Sequence, residues 1–170
     1  GAGSSVTIAF TVSRDSRGPC RLRLGDARTT VMVVRPVRPP NGKVLHRRIR
    51  GGRAHLTIRN SNEIDAMVIL ARARSPRTPV LAVYVRGRGS ASVRNVPDGR
   101  YIAWDCIGRD WNAHTRGFLV TEEYSRWRDP LVFATMRSPG HVRWRNWTLT
   151  LGSGPSEKAV VTSSRRFPEL

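Results

Sequence analysis

The side chains through which this 170-residue chain could do acid–base, nucleophilic or metal chemistry are four histidines, two cysteines and twelve carboxylates. Their spacing supports little of that chemistry. No Gly-x-Ser-x-Gly elbow or other serine-nucleophile motif accompanies His46, His55, His114 or His141. Neither Cys20 nor Cys106 lies in a glycine-rich or helix-opening context that would lower a thiol pKa. Cys106, beside Ile107 in an apolar stretch, reads as core packing. The alternative is a Cys20–Cys106 disulfide, which would tie the N-terminal segment to the rest of the chain and suit an exported protein. Glu122 and Glu123 are adjacent, so they point apart on a helix or a strand. Asp105 and Asp110 flank the loop carrying Gly108-Arg-Asp-Trp111, where Asp110 reads as a turn residue accepting backbone N–H groups. Metal-ligand spacings are lacking, and Gly87 and Gly89 lack the lysine or third glycine of a phosphate loop. The expectation is a protein without catalytic residues, metal or cofactor.

What the chain holds in excess is positive charge. Thirty Lys+Arg face twelve Asp+Glu, for a net charge of +18, and only Lys43 and Lys158 are lysine. A GC-rich coding sequence would raise the Arg:Lys ratio, but it does not account for the shortage of acids. Guanidinium contacts to phosphate and carboxylate are planar and bidentate, which suits an anionic polymer. The excess is front-loaded: net +9 over residues 1–50, +6 over 51–100 and +3 over 101–170. The densest stretch holds Arg35, Arg38, Lys43, Arg47, Arg48, Arg50 and Arg53 without one acid, and Arg86 and Arg88 follow in an Arg-Gly-Arg-Gly turn. These nine are the candidate anion-binding residues, expected on a continuous positive surface that binds in a salt-sensitive way. A cell-envelope polymer is favoured over nucleic acid, because no RNA- or DNA-binding signature stands out. Trp111 and Trp127, in segments read as loops beside Arg109, Arg126 and Arg128, are candidate aromatic contacts to a sugar or a base. The alternative is that they cap the open ends of the fold.

The elements that must position these residues read as strands. Ser5–Val12, Cys20–Leu24 and Thr29–Val34 are β-branched or alternating runs. Arg35-Pro-Val-Arg-Pro-Pro-Asn-Gly42 then interrupts the chain as a linker, since proline suits neither a helix interior nor a central strand. Beyond it, runs at 54–59, 65–71, 80–85, 91–96, 100–107, 118–120, 131–135 and 144–151 recur with turn residues between them, the pattern of a sandwich or barrel. Within 144–151, Trp144 and Trp147 would face opposite sides of one strand. Thr121–Arg128 is the exception. Its acids near the start and arginines near the end suit a short helix.

The pieces Leu56-Thr-Ile-Arg-Asn60, Asp65-Ala-Met-Val-Ile-Leu70, Val83-Tyr-Val-Arg86, Val96-Pro-Asp-Gly-Arg-Tyr101 and Gly108-Arg-Asp-Trp-Asn112 together resemble a small bacterial β-sandwich domain known from many uncharacterised proteins. That domain is distantly similar to transthyretin-like and carboxypeptidase-regulatory sandwiches. The resemblance covers about residues 38–152, includes the Trp147-Thr-Leu-Thr-Leu151 strand, and implies a non-catalytic accessory role.

The sequence therefore predicts an all-β fold: an antiparallel, Greek-key-like β-sandwich of about seven to eight strands over 38–152. An N-terminal β segment over 1–37 precedes it and a polar C-terminal tail over 153–170 follows. No apolar run approaches the roughly 20 residues of a bilayer span. The expected function is an accessory module binding an anionic polymer, in an exported or cell-surface setting. The alternative is a structural subunit of a surface, appendage or virion assembly that self-associates through edge strands.

Overall fold

The computed structural model describes residues 18–24, 27–33, 36–152 and 159–170, with side chains described over 36–152 and 159–170. Two compact units are present, Gly1–Pro36 and Val37–Leu170. The described part of the first is a single antiparallel hairpin, β1 (Gly18–Leu24) against β2 (Ala27–Val33). The run at 5–12 and Arg35 lie outside the described residues.

The second unit is an all-β sandwich. Its larger sheet runs β14 (Ala159–Val161), β9 (Gly117–Trp127), β8 (Gly99–Asn112), β5 (Asp65–Arg72), β6 (Pro79–Val85), β3 (Val44–Arg47), and β10 (Leu131–Phe133) pairs with the start of β8. The smaller sheet is β13 (Trp147–Leu151), β4 (Ala54–Asn60), β7 (Ser90–Val96). Pairing is antiparallel except where β13 lies parallel to β4. A separate hairpin, β11 (Thr135–Ser138) with β12 (His141–Trp144), belongs to neither sheet.

Alternation explains which faces meet. Leu56, Ile58, Val93 and Leu149 of the smaller sheet pack against Val68, Leu70, Val83 and Tyr101 of the larger. The intervening residues of the larger sheet are apolar too. Met67, Ile69, Tyr84, Ile102, Trp104 and Cys106 form a second buried layer on its outer face. Strands β5 and β6 thus have almost no solvent face. The C-terminal residues help to cover this layer. β14 pairs with β9, Phe167 stacks on Tyr124 with ring centroids 4.9 Å apart and meets the Trp104 ring edge-on at 6.2 Å. The described end of the chain, expected as a polar extension, is therefore part of the packing.

Two further expectations are corrected. Residues 121–127 are strand, not helix: β9 satisfies the open edge of β8 from Asn112↔Gly117 to Trp104↔Arg126, and that long-range pairing outweighs the end-charge signal. The run 144–151 is two elements, because the chain turns at Arg145–Asn146 between the free hairpin and β13.

One side-chain cluster anchors the approach to β3. Asp65, first in β5, accepts hydrogen bonds from Arg38 Nε (2.7 Å), from Arg38 Nη2 (2.5 Å), from the Gly87 backbone N–H (2.8 Å) and from the Tyr84 hydroxyl. Burial alone would raise the Asp65 pKa, but the hydrogen bonds from Arg38, Tyr84 and Gly87 together hold it below the ordinary carboxylate value. Its contribution is thus present above about pH 4 and lost as pH falls through the folded-state pKa. Asp65→Ala orphans the Tyr84 hydroxyl and the Gly87 N–H together, an expected loss of about 2–4 kcal/mol in urea unfolding. Arg38→Ala removes a guanidinium that is 56% exposed, so its expected loss is under about 1 kcal/mol. Equal losses in the two variants would contradict this ranking.

Candidate functional site

Strand connectivity sorts the turns of the sandwich to two ends. β3 arrives at one end through Arg47, and the 48–53 turn lies there. So do the 73–78, 97–98 and 128–130 turns and the base of the β11–β12 hairpin. The 61–64, 86–89 and 113–116 turns and the start of β3 lie at the other end.

The two ends differ sharply in charge. At the first, the 48–53 turn exposes Arg48, Arg50 and Arg53, and the 73–78 turn exposes Arg74 and Arg77. Arg128 adds one more, and the hairpin and its flank expose Arg137, Arg143 and Arg145. Against these nine stand Asp98 and Asp129. Asp98 already accepts hydrogen bonds from the Thr135 N–H and hydroxyl, each 2.9 Å. Among the described residues no ion pair forms at this end, whereas the other end carries Arg38–Asp65, Arg88–Glu63 and Arg109–Glu122. We refer to the cationic end and the mixed end.

The arginine run singled out from sequence is therefore divided. Arg47, Arg48, Arg50 and Arg53 reach the cationic end. Arg38, Lys43, Arg86 and Arg88 sit at the mixed end, because the chain passes from one end to the other along β3. There Arg38 and Arg88 are ion-paired, and Arg86 Nε donates to the Pro39 carbonyl at 2.9 Å. Among the described residues, the run is thus split between the two ends of the sandwich. The residues that complete the cationic end, from Arg74 to Arg145, are dispersed in sequence. The signal that could have found them is turn order: in a chain that runs up and down, alternate turns share an end.

The tryptophans also rearrange. Trp111 is in β8 and Trp127 closes β9, not in loops, and they are 3% and 9% exposed. Trp111 meets Tyr84 and Phe118 edge-on at 5.3 Å, and Trp127 Nε1 donates to Asp105 Oδ1 at 3.3 Å. Both are packing residues, which corrects their candidacy as exposed aromatic contacts. The exposed indole is Trp144, 40% accessible on the hairpin. At the mixed end Lys43 and Trp111 do come together, with Arg116, in an open cleft of about 280 Å³.

The groups that could do chemistry do not converge. Cys106 is a free, buried thiol whose pKa burial pushes up, the reverse of an activated nucleophile; the side chain of Cys20 lies outside the described residues. Among the described residues no three His, Cys, Asp or Glu side chains cluster as a metal site would, and no helix is long and apolar enough to cross a membrane. Asp110 is exposed in β8 with a positive φ of 56°, while Asp105 faces the interior between the sheets. Comparison with protein-family models, curated proteins and solved structures returns no match to this chain.

Asp105 gives the interior a measurable pH response. Burial pushes its pKa up to about 6; the Trp127 N–H pulls it down and the Glu123 charge adds to the rise. The native state therefore holds a proton that the unfolded chain releases near pH 4. Stability from this group is complete below about pH 4 and lost as pH rises through about 6, at about 3 kcal/mol in all. Asp105→Asn should flatten that decline in urea unfolding measured from pH 4 to 7. Parallel pH profiles for the two proteins would exclude Asp105 as the cause.

Proposed function

We propose that the Val37–Leu170 unit is a non-enzymatic binding module that engages an anionic polymer through its cationic end. The observation that carries this reading is the sorting of charge. The mixed end pairs Arg38, Arg88 and Arg109 with acids, while the cationic end gathers exposed arginines from four separate segments and pairs none of them among the described residues. Keeping so many like charges together is unfavourable for folding unless a polyanion neutralises them. Arginine suits that role, since its fork meets phosphate, sulfate or carboxylate groups bidentately. The reading also fits the accessory role implied by the resemblance to transthyretin-like sandwiches. Cell-envelope polymers and nucleic acids both offer the required charge.

A second reading, a structural subunit of a surface, appendage or virion assembly, is favoured by the edge strand β14. It presents Val160 and Val161 at 43% and 68% exposure beside a backbone edge that is unpaired among the described residues.

Titration with a short single-stranded nucleic acid over a range of salt concentrations tests the first reading. Binding should weaken steeply with salt. Replacing Arg48, Arg50 and Arg53 by alanine should make the log–log slope shallower by about two units, because each lost phosphate contact removes ~0.7. Replacing Arg86 and Arg88 should leave the slope nearly unchanged. Absence of binding at low salt, combined with a salt-resistant oligomer in light scattering, would put the assembly reading first.

A further inference from the structure

The β11–β12 hairpin is the part of the cationic end that the packing leaves unexplained. Its base is held: the Arg145 N–H donates to Ala134 O at 3.0 Å, the Thr135 N–H to Asp98, and Asn146 Oδ1 accepts the His55 N–H at 2.8 Å. Everything from Met136 to Asn146 is exposed. The tip turns at Pro139–Gly140, with φ +72° at Gly140, the residue order of a type II turn. The ribbon is thus fixed in place by both sheets, yet packs its own strands against neither.

Its composition is equally specific. Cross-strand partners share a face, so Trp144, Thr135, Arg137 and Val142 lie on one side, and Met136 and Arg143 on the other. No acid occurs between Pro130 and Gly152. A two-stranded ribbon is marginal in water, and leaving an indole and a valine exposed on it adds nothing to its stability. Arginines alone would satisfy a row of phosphates. What the indole adds is a flat π-face beside guanidinium planes, and phosphates do not use one. Unpaired bases do, stacking on aromatic rings and on arginine.

We infer that the β11–β12 hairpin is a stacking arm, with Trp144 as the platform for an unpaired base and Arg137, on the same face, on an adjoining phosphate. The preferred polymer is then single-stranded nucleic acid. This rests on the polyanion-binding reading above and narrows it to one ligand class.

The test compares three polyanions at low salt: oligothymidylate, which has bases; inorganic polyphosphate, which has charge alone; and dextran sulfate, which has charge and sugar rings. Trp144→Ala should weaken oligothymidylate binding about tenfold and leave the other two unchanged, and Trp144→Phe should recover most of the loss. Far-UV circular dichroism and urea unfolding check that both variants keep the wild-type fold, as an exposed position should. Equal loss on dextran sulfate would overturn the base platform in favour of a sugar platform. No effect on any of the three would leave polyanion binding standing and remove the stacking role. If wild-type protein binds none of the three, the polyanion reading and this one fail together.

Discussion

The central strands of the larger sheet are apolar on both faces, and the rest of the molecule follows from that. β5 and β6 read Asp-Ala-Met-Val-Ile-Leu-Ala-Arg and Pro-Val-Leu-Ala-Val-Tyr-Val, and almost every position is buried. Such strands cannot face water on one side as an ordinary antiparallel sheet does. The smaller sheet covers one face; Phe167 and Leu170 join the layer on the other. The same constraint governs charge. With no solvent face on the central strands, the arginines of a strongly basic chain fall at strand ends, on outer strands and in turns.

Turns then impose their own order. Up to the 128–130 turn, successive strands reverse direction, so consecutive turns alternate between ends and charge in alternate turns accumulates at one of them. β9 and β10 then both run toward the cationic end, which puts the hairpin base there too. Asp98 and Asp129 apart, the turn-proximal acids stay with the other set: Glu63, Asp65, Asp110, Glu122 and Glu123 gather around the 61–64 and 113–116 turns. A linear gradient of charge along the chain becomes a gradient between two ends, and the two do not correspond. Arg137, Arg143 and Arg145 lie in the least basic third of the sequence and at the most basic end of the fold.

This explains what was legible beforehand and what was not. Period-two alternation at Ala54–Arg59 and Ala91–Val96 carried a true signal, because one side of each strand meets the core and the other meets water. The all-β sandwich follows from such local pattern. Trp111 reads as a loop residue in the sequence because glycine and aspartate around Gly108–Asp110 resemble a loop. In the fold β8 continues through them, with a register shift at Ile107–Gly108 and a positive φ at Asp110. Thr121–Arg128 failed for a related reason, since only its pairing with a strand many residues away decides its conformation. The cationic end combines four segments, so no window of sequence contains it.

The parallel pairing of β13 with β4 has a kinetic side. β4 is the middle strand of the smaller sheet, and the bond from the His55 N–H to Asn146 joins residues 91 positions apart. During synthesis β4 and β7 can form their ladder early. The other edge of β4 stays open until residues 147–151 have emerged. Folding dominated by such distant contacts is slow, because loop closure precedes the reward. Through that interval the unpaired edge of β4 is available to any passing strand. Chaperone dependence and aggregation during expression would then depend on how soon residues 147–151 arrive, more than on the stability of the finished sandwich.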